Sequence, residues 1–123
     1  MSVTVAPNQT IQEILKELPS LIAVAVVETE TGMPLAAHSN IASFDIETAA
    51  AYNTEVVKQK LKAISALKLN QTIQDILLTL TDQLHLLKLS PNGQKFIYLA
   101  VNSRDTNLAV ARQVLKAHTD VLS

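Results

Sequence analysis

The side chains that could do metal or acid–base chemistry are few and widely separated in this sequence. The three histidines, His38, His85 and His118, fall in different predicted elements and lack the short spacings at which one segment supplies two metal ligands. Polar or capping roles are therefore favoured over convergence on a metal ion. The absence of cysteine excludes disulfides, thiolate ligands and cysteine nucleophiles. We expect no metal site and no cofactor.

Three acidic residues, Glu28, Glu30 and Asp45, could be interpreted as a set containing a catalytic carboxylate pair. Each has a simpler interpretation, because the first two fall in a predicted turn and the third precedes a predicted helix, where acids act as caps. His38 is followed by Ser39, but no Gly-x-Ser-x-Gly turn presents a serine nucleophile. No constellation of residues predicts catalysis, and we expect a protein that is not an enzyme.

Two arginines, Arg104 and Arg112, invite the hypothesis of an arginine finger, a cation that stabilises charge on a phosphate during GTP hydrolysis. The alternative for Arg112 is that its stem packs on the sheet while its head bonds a nearby carbonyl or acid. That alternative is favoured, since a residue inside a docked helix cannot easily reach into a partner. Only Gly32 and Gly93 occur and no Gly-x-x-x-x-Gly-Lys phosphate loop exists, so the chain itself is not expected to bind nucleotide.

Composition predicts one domain with more apolar surface than its own core needs. We treat the 123 residues as a single domain with its core from about residue 10 to 118. Hydrophobic residues make up 48% and charged residues 17%, with a mean hydropathy of +0.22, which favours burial in an oligomer interface. Ten basic and eleven acidic residues without long charge blocks argue against nucleic acid or an anionic membrane as a partner.

Targeting and membrane signals are not recognisable in the sequence. Residues 1–8 have neither a basic region nor an apolar core, so no signal peptide is predicted. No apolar run approaches the roughly 18 residues that a membrane-spanning helix needs. We expect a cytoplasmic protein.

The N-terminal part predicts a helix followed by a buried strand. Thr10 and Glu13 form a capping-box pattern at the start of the helix, and Pro19 ends it. Leu21 to Val27 is a nearly unbroken apolar run with three valines, which is typical of a strand that is covered on both faces.

A turn and a second strand lead into the longest predicted helix. Glu28 to Gly32 turns the chain, with glycine supplying a positive φ, and Met33 to His38 returns as a strand. Asp45 caps a helix that runs to about Leu67 or Lys68. One stripe of this helix is expected to face the core: Ile46, Ala50, Asn53, Val57, Leu61 and Ile64. The opposite face carries alanines that allow close approach of another helix, beside one large ring: Ala51, Ala63, Ala66 and Tyr52.

The segment from Ile76 to Val101 predicts three consecutive strands around which the rest of the chain packs. Apolar residues alternate from Ile76 to Leu80 and recur in Leu84 to Leu89 and in Phe96 to Val101. Asn92-Gly93 between the last two runs predicts a type I′ hairpin turn. Both faces of such a sheet are apolar, so both must be covered by helices or by a partner.

An internal near-repeat tests these assignments. Residues 8–15 read NQTIQEIL and residues 70–77 read NQTIQDIL. The similarity does not extend further, so we interpret the first copy as helix and the second as a turn running into a strand. Asp105 or Thr106 is expected to start the last helix. The resulting order is helix, two strands, long helix, three strands and helix, an α+β fold with one five-stranded antiparallel sheet.

This order and three local signatures resemble the roadblock/dynein light chain family, whose domain is a profilin-like α+β fold with helices on both faces of a five-stranded antiparallel sheet. The signatures are Val26 to Ala36 (VVETETGMPLA), Gln94 to Val101 (QKFIYLAV) and Asn107 to Arg112 (NLAVAR). They occur in the family's order and spacing, and the resemblance covers roughly residues 10 to 118.

The resemblance implies a homodimer that regulates or localises a small Ras-like GTPase. By resemblance, two domains pair through the third strand, here about Ile73 to Thr81, with their long helices side by side. The residues expected at that dimer interface are Ile73, Ile76, Leu78, Leu80, Ala51, Ala63 and Ala66. The residues expected to bind the GTPase are Tyr52, Glu55, Gln59 and Lys62. The alternative is a sensory domain that holds a small ligand under its sheet.

Overall fold

The computed structural model describes residues 5–122 and contains three helices and one sheet within that range. The expectation of no signal peptide rests partly on residues 1–4, which lie outside the described residues. The elements in chain order are α1 (Pro7–Glu17), β1 (Leu21–Glu28), β2 (Pro34–Ser39), α2 (Ile46–Ala66), β3 (Ile76–Thr79), β4 (Gln83–Leu89), β5 (Lys95–Asn102) and α3 (Leu108–Thr119).

The five strands form one antiparallel sheet in the order β2-β1-β5-β4-β3. The apolar runs that predicted buried strands are the two central strands, β1 and β5, because only a strand with neighbours and covered faces on both sides can hide every side chain. β2 and β3 are the two edges of the sheet. The predicted α+β fold is confirmed.

The sheet separates two apolar layers. On one face α1 and α3 pack with alternate residues of the central strands around Val24, Ile97 and Leu115, which are fully buried. On the other face α2 covers the intervening residues, including Ala25, Phe96 and Tyr98. The helices therefore lie on both faces, as the apolar character of both faces predicted.

Two of the predicted helix starts are wrong. α1 begins at Pro7, earlier than the capping-box pattern predicted, because proline suits the first helical turn and needs no hydrogen-bond acceptor there. Thr10 lies inside the helix, fully buried, and its hydroxyl donates to Ala6 O at 3.4 Å. α3 begins after Asn107, whose Oδ1 accepts the Val110 amide at 3.2 Å, so the cap is this residue and neither predecessor.

The predicted N-cap of α2 is confirmed. Asp45 Oδ1 accepts the Thr48 amide at 3.0 Å and Oδ2 accepts the Thr48 hydroxyl at 2.6 Å. The hydroxyl bond and the amide bond lower the pKa of Asp45, since both stabilise the carboxylate. The helix ends at Ala66, and Lys68 then adopts a left-handed conformation with φ of 55°.

The predicted core stripe of α2 is only partly correct. Ala50 and Val57 are buried, together with Thr54, which was not predicted. Leu61 remains 41% exposed, and no residue of α2 after Val57 is buried. Half of this long helix therefore has little of the chain's own core to cover.

Two turns were predicted with different success. Gly32 has φ of +77°, as the turn between the first two strands required. The type I′ assignment for Asn92-Gly93 is wrong, because among the described non-glycine residues only Lys68 has positive φ. Gly93 N instead donates to Ser90 O at 2.9 Å around Pro91, whose fixed φ favours a type I turn at that position.

The near-repeat adopts two structures, as predicted. Residues 8–15 belong to α1, whereas residues 70–75 are irregular and only Ile76 and Leu77 enter β3. β3 is shorter than the predicted Ile73 to Thr81, and Ile73 lies outside it. Side chains, rather than a strand ladder, hold the backbone just before β3, as described below.

Candidate interaction surface

The β3 edge is the first part of the candidate site. β3 pairs with β4 on one side only, and its residues Ile76 to Thr79 carry no charge. Leu78 is 52% exposed and Leu80, just beyond the strand, is 41% exposed. An uncharged, unbulged edge strand with exposed leucines offers unpaired backbone groups and apolar contact to another strand.

The orientation of α2 is fixed by contacts on its two sides. Lys58 Nζ donates to Glu30 O at 2.8 Å, so this side of the helix turns toward the loop between β1 and β2. Lys60 and Ile64 line a cavity together with Ile73 on the approach to β3. One flank of α2 therefore faces the β3 side of the sheet and the other faces the β2 side.

Next to Lys60, toward the outward surface of α2, lies an apolar and exposed strip. Tyr52 is 73% exposed, Val56 39% and Leu67 69%, and Ala63 is exposed as well. A helix turns about 100° per residue, so these four side chains fall within about 60° of one another. We call these four residues the apolar flank. Val56 and Leu67 were not predicted as site residues, although the spacing 52, 56, 63, 67 in the sequence would have found them.

The predicted site residues on α2 do not form two separate sets. Tyr52, predicted to bind the partner, lies on the apolar flank together with Ala63. Ala51, predicted at the dimer interface, lies beside Glu55 and Lys62 on the flank nearer β2, about 120° away. Gln59 and Ala66, both exposed, lie between the flanks on the outward surface of the helix. Each of these roles stays a prediction.

A hydrogen-bonded histidine lies directly behind β3. His85 is opposite Leu78 in the β3–β4 register. Its Nε2 lies 2.8 Å from Gln83 Oε1 and its Nδ1 lies 3.1 Å from the Tyr98 hydroxyl. Burial lowers the pKa of His85 and raises the pKa of Tyr98 to about 12. No pattern in the sequence points to this pair, since the two residues meet only as diagonal neighbours of paired strands.

Side chains clamp the connection between α2 and β3. Arg112 Nε donates to Asp75 Oδ2 at 3.0 Å and its Nη2 to Asp75 Oδ1 at 3.2 Å, a two-point ion pair between α3 and the residue before β3. Lys88 Nζ donates to Gln74 O on the same connection. The head of Arg112 is thus engaged within the chain, which agrees with the packing interpretation for this residue. Arg104, the other arginine of that hypothesis, pairs with Asp82 at 3.4 Å on the surface, and its role stays a prediction.

The remaining histidines lie in unrelated surroundings. His38 on β2 bonds Asn40 Oδ1 at 2.7 Å. His118 on α3 lies 3.2 Å from Glu17 Oε2 and 3.7 Å from Glu13 Oε2, with its ring almost buried between α3 and α1. The structure does not bring the three histidines together, and no group of three metal-ligating side chains occurs within residues 5–122.

A cleft lined by charged side chains lies at one end of the sheet. It has a volume of about 460 Å³ and lies between the β1–β2 turn and the β4–β5 turn. Its lining includes two carboxylates and two ammonium groups, from Glu28, Glu30, Lys58 and Lys95. Metabolite pockets are mostly apolar with a few convergent polar groups, so this charged cleft does not favour the sensory-domain alternative.

Solved structures resemble the whole chain in fold. Neither a protein-family model nor a curated protein matches the sequence. MglB from Myxococcus xanthus superposes with a TM-score of 0.81 at 13% identity, covering 94% of this chain and 83% of that one. A Roadblock/LC7 domain from Streptomyces avermitilis gives 0.78 at 10% identity, covering 95% and 92%. The gliding protein MglB from Thermus thermophilus gives 0.78 at 12% identity, covering 99% and 92%.

The chain has a roadblock-type fold. The likeness extends over nearly all of each structure, so the fold and the resemblance seen in the sequence agree. Among residues 5–122, no helix is both long enough and apolar enough to cross a membrane.

Proposed function

We propose that the chain forms a homodimer through β3 and the apolar flank of α2, and that this dimer is a non-enzymatic scaffold that regulates a small Ras-like GTPase. The observation that carries the proposal is the common position of two incomplete surfaces. Lys60 and Ile64 of α2 line a cavity with β3 and the residues before it, and the apolar flank lies next to Lys60 on the helix surface, so the flank and the unpaired β3 edge are neighbouring surfaces. One partner molecule placed there would cover both.

A second copy of the chain suits this surface. Pairing β3 with β3 of the partner subunit about a twofold axis would extend the sheet across both copies and would place the two α2 helices antiparallel. If the axis crosses the helix at the level of Gln59, Tyr52 would face Leu67 of the partner subunit. Val56 would then face Ala63 of the partner subunit. Each Tyr52 ring would then contact a leucine across the axis, while Ala63 would allow the two helix backbones to approach.

The apolar area supports a stable dimer. Tyr52, Leu67 and Leu78 are each more than half exposed in the single chain. Full burial of a side chain of this size contributes roughly 1.5–3 kcal/mol. Three such residues from each of two copies, with about half of that burial still available, give a gross gain of roughly 5–9 kcal/mol. The strand hydrogen bonds add to this, and lost rigid-body freedom opposes it.

The outward surface of the paired helices is the proposed GTPase-binding face. Glu55, Gln59 and Lys62 would remain exposed in the dimer, because they lie away from β3 and away from the core. The roadblock resemblance supplies the partner class, since roadblock dimers in bacteria and archaea engage small Ras-like GTPases on this side. Arg112 is held by Asp75 and Arg104 pairs with Asp82, so we propose that regulation acts through positioning of the GTPase's own groups.

The proposal is tested by separating the dimer surface from the GTPase surface. The small Ras-like GTPase of the same organism is captured on the chain in the presence of GTP and identified by mass spectrometry. The purified GTPase, loaded with GTP, is then titrated against the chain. The double variant Glu55→Arg, Lys62→Glu should weaken GTPase binding by about tenfold or more and leave the dimer intact. Unchanged binding by this variant, or no small GTPase that binds at all, would contradict the scaffold function.

A further inference from the structure

The position of His85 relative to the open edge suggests a role beyond packing. It lies on β4, one strand and about 5 Å in from the edge, and its register partner on β3 is Leu78, which is 52% exposed. Its side chain lies on the α2 face of the sheet, where it contacts the rings of Tyr98 at 5.5 Å and Phe44 at 6.4 Å between centroids. Any molecule that covers β3 on this face also covers His85.

The hydrogen bonds of His85 suit the neutral ring. Gln83 Oε1 only accepts, so Nε2 carries the hydrogen and donates to it at 2.8 Å. Nδ1 is then the unprotonated nitrogen and accepts from the Tyr98 hydroxyl at 3.1 Å. A second proton on Nδ1 would remove the acceptor of the Tyr98 hydroxyl, and that hydroxyl would have to turn its hydrogen elsewhere in a largely buried place.

No negative charge is positioned to stabilise a protonated His85 among the described residues. Its partners on its own strand, on β5 and before α2 are an amide, a phenol and a phenyl ring, and β3 carries no charged residue. The acids next to these partners in the sequence are Asp45, beside Phe44, and Asp82, beside Gln83. Asp45 is engaged by Thr48, and Asp82 pairs with Arg104 at 3.4 Å on the surface.

We propose that His85 makes the homodimer acid-sensitive: covering the β3 edge excludes water from a histidine that has no counter-charge, so protonation of the ring drives the two copies apart. This inference rests on the proposed dimer and adds a regulatory input to it. Burial already lowers the pKa of His85 in the single chain, and further burial in the dimer acts in the same direction. The acid sensitivity of the dimer does not depend on which GTPase binds.

The direction of the pH effect follows from the lowered pKa. The neutral ring is favoured when covered, so dimer affinity is constant above the pKa that His85 has in the separated chain, which burial already lowers from the ordinary 6.5, and falls as the pH drops below that pKa. His85 binds a proton more readily in the separated chain than in the dimer, and each dimer contains two His85 rings. The affinity loss levels off only below the pKa that His85 has in the dimer.

The test is the dissociation constant of the dimer, measured by dilution in an analytical ultracentrifuge between about pH 7.5 and about pH 5.5. We expect it to rise about tenfold or more on acidification, since each unit by which covering lowers a pKa changes the binding constant about tenfold per site. His85→Gln, which cannot titrate, should lose this dependence. His38→Gln, the matched control on the opposite edge strand, should keep it.

A second measurement does not need a variant. NMR titration of the His85 ring in the native chain should give a midpoint that falls as protein concentration increases. A dimer whose dissociation constant is independent of pH, or a His85→Gln dimer with the native dependence, would overturn the inference and leave the dimer standing. A chain that stays monomeric throughout this pH range would overturn both.

Discussion

Leu78→Lys should disrupt the dimer while leaving the single chain folded. Leu78 is 52% exposed in the isolated chain, so the substitution removes only about half of a leucine's burial there, roughly 1 kcal/mol. The exposed half is what a second β3 would cover. Its loss costs about 1 kcal/mol per copy, or about 2 kcal/mol per dimer, before the cost of placing two lysines near the twofold axis.

The dimer dissociation constant should therefore rise at least about thirtyfold, and more if the ammonium groups are desolvated. Sedimentation velocity over a dilution series measures this constant, and a thermal melt of the same sample reports folding. Val110→Lys is the matched control, because Val110 is 46% exposed on α3 at the other face of the sheet. A Leu78→Lys chain that dimerises as tightly as the native chain would refute an interface at β3.

Four further substitutions test other parts of the structure. Tyr52→Ala should weaken the dimer by about 1–3 kcal/mol with little effect on the fold of the single chain, and a dimer of native affinity in dilution experiments would remove Tyr52 from the interface. Arg112→Ala deletes the two-point ion pair before β3 and should raise amide hydrogen exchange in that connection, with a modest global cost of up to about 1 kcal/mol because the pair is partly exposed. Gly32→Ala should destabilise the chain by about 1–2 kcal/mol in urea unfolding, because φ is +77° and the new Cβ would lie 3.2 Å from Thr54 Oγ1. Gly93→Ala, with φ of +73° and open space at the Cβ position, should cost less, and equal losses at the two glycines would mean that the Thr54 contact has no effect.

The regular elements could be predicted because local and global preferences agree in them. The valine-rich run of β1 and the apolar run of β5 place apolar side chains on both faces of a strand. Both faces must therefore be covered, which favours strands in the interior of the sheet. The near-repeat shows why context is needed elsewhere: residues 8–15 are helical, while residues 70–77 run from an irregular segment into a strand. Their neighbours decide, through burial against α3 in one case and pairing with β4 in the other.

The parts that sequence reasoning missed depend on side chains distant in the chain. The type I turn at Ser90 to Gly93 follows from the restricted φ of Pro91, which competed with the Asn-Gly signal. The short β3 follows from Arg112 and Lys88 holding the residues before it. Helical periodicity groups the residues of α2 into stripes but does not show which side of the sheet each stripe faces. The contact of Lys58 with the β1–β2 turn supplies that orientation.

The location of the interface can be tested most directly by cross-linking, since the chain has no native cysteine to interfere. A single cysteine is introduced as Thr79→Cys, at an exposed position on β3 that keeps both leucines of the strand. Neighbouring strands lie about 5 Å apart, within the span of a short bis-maleimide. Treatment at micromolar concentration should give a covalent species of twice the 13.3 kDa chain mass in denaturing mass spectrometry, whereas Val110→Cys should not. Equal or absent cross-linking in the two variants would contradict pairing of two copies through β3.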